Sequence, residues 1–262
     1  MNQTKNNAIV TGATGAIGGA IARQLAAKGY QLTLIVRSEA KGIQTASEIK
    51  AATGNPDIHL LTADLSLKKD IERIASAWNQ PLKLLVNNAA AAPRRREVNV
   101  AGIEMQWATN VLGYFWMMKF FTPHLKSGAP SRIVNVASYW AGDLDLSDPE
   151  CKKRRYNNDM IYRQSKQANR MLSVAFAEKL KADGITVNAV HPGNVNSVLS
   201  NNLGYGGSTP PDQGADTPVW VATAPELEGI TGKYFEHRRQ TFCPFSEMHQ
   251  EIQRLTALCE SY

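Results

Sequence analysis

The sequence predicts an α/β fold in one domain, a doubly wound parallel sheet. Short apolar runs rich in β-branched residues recur along the chain, and the stretches between them are long enough for crossover helices. The runs are continuous rather than alternating, as expected of strands covered on both faces. A glycine-rich turn directly after the first run fits the same architecture.

The first strand is Ala8-Ile9-Val10. A helix follows from Ile17 to Lys28, with Ile17, Ile21 and Leu25 on one face. Further strands are expected at Leu32 to Val36, Ile58 to Leu61, Leu82 to Val86, Arg132 to Val136 and Ile185 to Val190. The richest apolar stretch, Tyr114 to Phe121, ends at Pro123. It falls well short of the about 18 residues a membrane span needs. Gly204 to Pro211 has the composition of a mobile loop, too near the end to begin a second domain. Phe245 to Tyr262 has a helical pattern and would cover the pocket, pack on the body or meet a neighbour. The expected organisation is therefore one domain over residues 1–262, with a helical extension from about 245.

The 262 residues suffice for one large core, and 43% hydrophobic with 20% charged residues is an ordinary globular balance. Cys151, Cys243 and Cys259 are an odd number without a CxxC spacing, which fits neither a disulfide framework nor a zinc site. Reduced thiols in a cytoplasmic protein are the expectation. The polar start, Met1 to Asn7, lacks the apolar core of a signal peptide. A net charge of +6 comes partly from Arg94-Arg95-Arg96 and Lys152-Lys153-Arg154-Arg155. These runs read as solvated loops, because no interleaved aromatics or recognisable module supports a nucleic-acid partner. Polyanion-binding and membrane-surface readings stay as alternatives that salt-dependent retention would decide.

The first strand runs into Thr11-Gly12-Ala13-Thr14-Gly15-Ala16-Ile17-Gly18. Glycines there let the chain turn sharply and let backbone approach a phosphate, while the next helix presents free N–H groups and its positive dipole end. Gly12, Thr14, Gly15, Ile17 and Gly18 are the candidate contacts of a dinucleotide in a Rossmann-type sheet. The second strand ends at Arg37-Ser38, where an acidic residue would favour NAD. A guanidinium and a hydroxyl suit a 2′-phosphate instead, so NADP(H) is expected over NAD(H). Asp64-Leu65 follows the third strand; Asp64 would accept from the adenine amino group, or Asp64 or Ser66 would cap the next helix.

Taken in order, Thr11-Gly-x-x-x-Gly-x-Gly18, Asn87-Asn88-Ala89-Ala90, Asn110, Ser138, Tyr162-x-x-x-Lys166 and Pro192-Gly193 resemble the short-chain dehydrogenases/reductases. The likeness runs from residue 8 to about 237, and its nearest branch is that of the retinol dehydrogenases and protochlorophyllide reductases. Carrying that closer likeness are Gly102-Ile103-Glu104, Thr109-Asn110-Val111-Leu112-Gly113-Tyr114-Phe115, Ser165-Lys166-Gln167-Ala168-Asn169 and Gly229 to Phe235. The 24 positions between Ser138 and Tyr162, room for an inserted loop, add to it. The sequence makes three departures from the family pattern. Asn87-Asn88-Ala89-Ala90 has alanine where glycine is usual, and Asn196-Ser197 replaces a common threonine. Asn194 stands where protochlorophyllide reductases carry cysteine, so the light-driven reaction is not expected.

Tyr162 and Lys166 are four apart in a helical stretch and share a face. A free phenol titrates near ~10, and a neighbouring ammonium would favour its phenolate. The resemblance implies that Tyr162 moves the proton, Ser138 holds the carbonyl oxygen and Lys166 also holds the nicotinamide ribose. It further implies that Asn110 anchors a water leading from Lys166, that Asn88 lies by the cofactor, and that Pro192 lies by it too. Pocket walls would come from Ala91-Ala92-Pro93, Tyr139-Trp140, Tyr156 and Val198 to Tyr205. Trp140 would either stack on the substrate or pin the inserted loop. The substrate is expected to be a small, apolar carbonyl or alcohol. The other readings are a non-catalytic dinucleotide-binding regulator and a reductase of a C=C or C=N bond. Helices near 103–122 and 157–181 often make homodimers or homotetramers in this family; Trp116, Met117 and Phe120 would serve that interface or the core.

Overall fold

A computed structural model describes residues 6–262; most of the polar start, Met1 to Lys5, lies outside the described residues. The chain alternates β1 (Asn7–Thr11), α1 (Ala16–Ala27), β2 (Gln31–Val36), α2 (Glu39–Thr53), β3 (Ile58–Thr62), α3 (Lys68–Ala77) and β4 (Leu84–Asn87). A π-helical turn (Trp107–Leu112) leads into α4 (Gly113–Ser127), followed by β5 (Ser131–Val136), α5 (Asn158–Leu180) and β6 (Ile185–Val190). The remainder is α6 (Val198–Asn202), α7 (Pro211–Thr223), β7 (Tyr234–Glu236), β8 (Arg239–Thr241) and α8 (His249–Glu260).

The eight strands form one sheet in the order β3-β2-β1-β4-β5-β6-β7-β8. All neighbours are parallel except the last pair. The continuous apolar runs are explained by this arrangement, because every residue of β1 and β4 is buried. One face packs Ile21 and Leu25 of α1, Ile49 of α2 and Val219 of α7 against the sheet. The other takes Ile71 of α3, Phe115 and Phe121 of α4, and Met171 and Phe176 of α5. Strand order reverses between β1 and β4, so the crevice beyond their carboxyl ends is where such a sheet admits a ligand.

Two expectations change, and two features go beyond what was expected. The strand expected from Leu82 begins at Leu84, because the Leu82 N–H bonds His124 O instead of entering the ladder. Helix α4 continues beyond the apolar stretch Tyr114 to Phe121, through Pro123 to Ser127. The edge strand β8 is short, polar and wholly exposed, and no hydrophobic pattern announces it. The segment from Gly204 is tied down: Ser208 and Thr209 N–H groups both donate to Asn194 O at 2.9 Å. Trp116 and Met117 are buried in the core, as are Ile252, Leu255 and Cys259 of α8, so this last helix packs on the body. Among the described residues, no helix is long and apolar enough to cross a membrane.

Candidate active site

The β1–α1 turn is held by contacts that only glycine permits. Gly12 has φ of +67°, and a Cβ there would fall 2.7 Å from Ala89 Cα. A Cβ on Gly18 would fall 2.3 Å from Gly12 O and 2.5 Å from Asn88 Nδ2. The turn is thereby locked against the end of β4. The Asn88 side chain donates to Thr11 O at 2.9 Å, and the N–H groups of Asn88 and Ala89 donate to Thr11 Oγ1 at 2.8 and 3.0 Å. Neither Ala89 nor Ala90 has positive φ, so their methyl groups cost nothing in that turn.

From this turn a cleft of about 580 Å³ runs along the carboxyl edge of the sheet. Gly12, Thr14, Gly15 and Ile17 line one end, with Arg37, Ser38, Asp64 and Leu65 beside them. Asn88, Tyr162, Lys166 and Pro192 line the remainder, together with Ala91, Ala92, Val198 and Leu199. Residues scattered from 12 to 202 thus share one wall. Gly18, Asn110 and Ser138 are not on that wall. Gly18 packs behind the turn, against Gly12 O and Asn88 Nδ2. Asp64 does not cap α3, whose N-cap is Leu67; its carboxylate accepts from the Ser66 N–H at 2.9 Å.

Asn110 lies in the π-helical turn, a feature frequent at functional sites. Its amide is bonded to protein atoms: Oδ1 accepts from Ala91 N–H at 2.8 Å, and Nδ2 donates to Ala91 O at 3.0 Å and to Ser165 Oγ at 3.2 Å. Its main-chain oxygen accepts from Asn169 Nδ2 at 2.7 Å. Asn110 therefore fixes the cleft wall at Ala91.

At the far end stand Ser138, Tyr162 and Lys166. Lys166 is buried and donates to Val136 O at 2.9 Å, with its Nζ 5.4 Å from the Tyr162 ring centroid. Burial pushes its ammonium down to about 7. Burial pushes the Tyr162 phenol well up, and a hydrogen bond from Ser138 pulls it the other way. Ser138 Oγ accepts from Trp140 N–H at 3.0 Å, which leaves its own proton for the phenol. The protein's own groups thus leave Tyr162 a neutral phenol, burial being the largest influence on it.

Around this end the aromatic residues divide. Trp140 donates to Asp159 at 3.0 Å and lies under the Arg163 guanidinium at 5.2 Å, and the Tyr205 hydroxyl bonds the same Asp159. Trp140 therefore pins the inserted loop, although it stays 39% exposed at the mouth. Tyr156 is no cleft wall. Its hydroxyl accepts from Gln106 at 3.0 Å and sits 3.3 Å from Glu104 and Pro93 O, tying the loop to the segment before the π-turn. The cationic runs are not simply solvated either: Arg96 donates to Glu150 O, and Arg154 pairs with Asp148. Burial would raise the Asp148 carboxyl, but N–H groups of Lys152, Lys153 and Arg154 hold it below its usual range.

The profile of the short chain dehydrogenase family matches residues 6–205. The chain belongs to that family. Human retinol dehydrogenase 13 is 32% identical over 95% of this chain and 82% of its own length. A solved structure of a Mycobacterium paratuberculosis protein superposes with a TM-score of 0.83 at 24% identity, covering 98% of this chain and 93% of that one. A single-substitution variant of the actinorhodin polyketide ketoreductase, solved with NADPH, gives 0.69 at 25% identity, covering 90% and 97%. This short-chain dehydrogenase is accordingly an oxidoreductase of a family that binds a nicotinamide cofactor and acts on small molecules.

Sequence reasoning missed three residues here. Lys41 lines the cleft from the first turn of α2, and nothing in the sequence set it apart from a surface lysine. His191 is buried with its Nδ1 unpartnered among the described residues, its ring 4.7 Å from that of Tyr139. Burial, with His237 and Arg170 nearby, pushes it down to about 3, so it is neutral. Arg170 is the third, 5% exposed beneath Ser138.

Proposed function

We propose that this short-chain dehydrogenase moves a hydride between NADP(H) and an apolar aldehyde, ketone or secondary alcohol, with Tyr162 as the acid/base. The reading is carried by the juxtaposition of the Tyr162 phenol with the Ser138 hydroxyl at one end of a cleft whose other end bears Arg37, Ser38 and Lys41.

The chain's own residues fit a dinucleotide. Gly12 and Gly15 bring bare backbone to the cleft at the start of α1, where an anion is favoured. Arg37 and Lys41 add two cations and Ser38 a hydroxyl, and the two positions directly after β2 carry Arg37 and Ser38 rather than a carboxylate to take a ribose diol. NADPH stands in the solved ketoreductase relative, which supports the same preference. When bound, the nicotinamide supplies or accepts the hydride.

In reduction, Ser138 donates to the carbonyl oxygen and Tyr162, neutral in the protein alone, gives it a proton. In oxidation the direction reverses, and Tyr162 takes the alcohol proton. Lys166, poised near neutrality, is the residue through which Tyr162 would be recharged. Tyr139, Val198 and Tyr205 stay 52%, 79% and 44% exposed, an apolar approach suited to a hydrophobic substrate. The retinol in the human relative's name points the same way.

The test is steady-state oxidation of NADPH and of NADH against retinal, nonanal, benzaldehyde and cyclohexanone, with Tyr162→Phe in parallel. Consumption of NADPH well ahead of NADH, lost in the variant while it still binds NADPH, is the expected result. Turnover unchanged in Tyr162→Phe refutes the mechanism. NADPH binding without turnover of any panel member favours the regulator reading.

A further inference from the structure

We propose that Arg170 is a positioning residue for this reaction, holding the main chain at Ser138 so that the Ser138 hydroxyl faces Tyr162. The proposal rests on the reading of Ser138 and Tyr162 as the reacting pair.

Tyr162, Lys166 and Arg170 follow one another at steps of four on α5 and form a single row facing the sheet. The two cations of that row grip alternate carbonyls where the chain leaves β5. Lys166 Nζ donates to Val136 O, and Arg170 Nη2 donates to Ser138 O. Residue 138 is thereby fixed from two sides, its carbonyl by Arg170 and its Oγ by the Trp140 N–H. The hydroxyl proton is the one freedom left to it.

The surroundings of Arg170 are a poor bargain for stability alone. It is 5% exposed, yet its carboxylate neighbour, Glu236 Oε1, lies 4.0 Å away at the limit of an ion pair. Its Nε is buried without a partner among the described residues. A buried ion pair is often replaceable as a whole by apolar side chains of similar volume without loss of stability, so the burial of this loosely paired guanidinium is weak evidence for a purely stabilising role. What it does have is the face of Tyr234, with its guanidinium carbon 3.5 Å from the ring centroid, and Phe245 beyond at 5.6 Å. A planar, rigid guanidinium can stack on that ring and still direct an N–H at a carbonyl, which the flexible lysine stem does less well. Tyr234 and Glu236 belong to β7, so the grip also references Ser138 to the closing hairpin. Arg170 is absent from the cleft wall and acts only through Ser138.

The test is a double-mutant cycle of Arg170→Met with Ser138→Ala, using NADPH and the most active member of the carbonyl panel, and Tyr162→Phe in the same series. A misplacement of the hydroxyl lowers kcat of Arg170→Met roughly ten- to a hundredfold, with KM and the NADPH Kd within about threefold. In the Ser138→Ala background the same substitution costs less than about threefold, because the hydroxyl it positions is gone. Equal losses in both backgrounds, or wild-type kcat in Arg170→Met, overturn the proposal. Should Arg170→Met fail to bind NADPH, the cycle is run with Arg170→Lys, which keeps the charge and loses the fork; additivity or wild-type kcat there overturns it equally. Full activity of Tyr162→Phe would instead sink the underlying reaction, whatever the cycle shows.

Discussion

The Lys166 ammonium donates to the main-chain oxygen of Val136 at 2.9 Å, within a site that burial has pushed down to about 7. Its folded form therefore holds a proton less tightly than the unfolded chain, where lysine titrates near ~10.4. Below about pH 7 the burial penalty is fully present, and it is relieved as pH rises from there toward 10. The stability difference, wild type minus Lys166→Met, is expected to grow across that window. Urea unfolding of both proteins near pH 6 and near pH 9.5 measures it. A difference that does not change with pH contradicts the burial argument.

Arg37 and Lys41 are expected to set the choice of nucleotide. Charge-assisted contacts to a phosphate are worth about 1.5–3 kcal/mol each, so Arg37→Ala with Lys41→Ala should weaken NADPH binding roughly a hundredfold or more. NADH binding should change by less than about threefold, and the salt dependence of NADPH binding should flatten. Parallel titrations of both nucleotides decide it; equal losses for the two would place these cations elsewhere.

Gly18→Ala sets a helix-propensity gain of about 1 kcal/mol against a clash. The new methyl would meet Gly12 O at 2.3 Å and Asn88 Nδ2 at 2.5 Å, both parts of the packed turn. The clash wins, with a net loss on the order of 2 kcal/mol and weaker nucleotide binding. Thermal unfolding with and without NADPH reads both effects; a rise in Tm would show that the turn yields.

Asn110→Ala leaves the N–H and C=O of Ala91 without their present partners. A loss of about 2 kcal/mol is expected, together with a raised NADPH Kd because Ala91 and Ala92 line the cleft. Unchanged nucleotide affinity with reduced kcat would favour a direct part in proton transfer over the fixing of the wall.

Much of this was legible in the sequence because it follows from backbone demands. Six apolar runs announced six parallel strands, all but the edge strand β3 largely buried, and the glycines at 12 and 18 announced a close approach that only hydrogen allows at the alpha carbon. Tyr162 and Lys166 were visible through helical spacing. Residues whose meaning depends on remote partners stayed hidden. Arg170 on a helix reads as a solvent-facing charge until β7 brings Tyr234 beneath it. Lys41 resembled any surface lysine, and β8 had no apolar pattern to betray it. The inserted loop was opaque for the same reason. Its order comes from buried carboxylates such as Asp148 and Glu150, which in sequence look like solvated acids.

All three cysteines are free and buried, Cys151 in the inserted loop, Cys243 beside the closing hairpin and Cys259 on the inner side of α8. Burial pushes the thiols of Cys151 and Cys259 up, away from the reactive thiolate. An alkylating reagent can thus attack each only when its own region breathes open. The rates of labelling at the three sulfurs would report three separate opening equilibria, in loop, hairpin and helix, from one intact molecule.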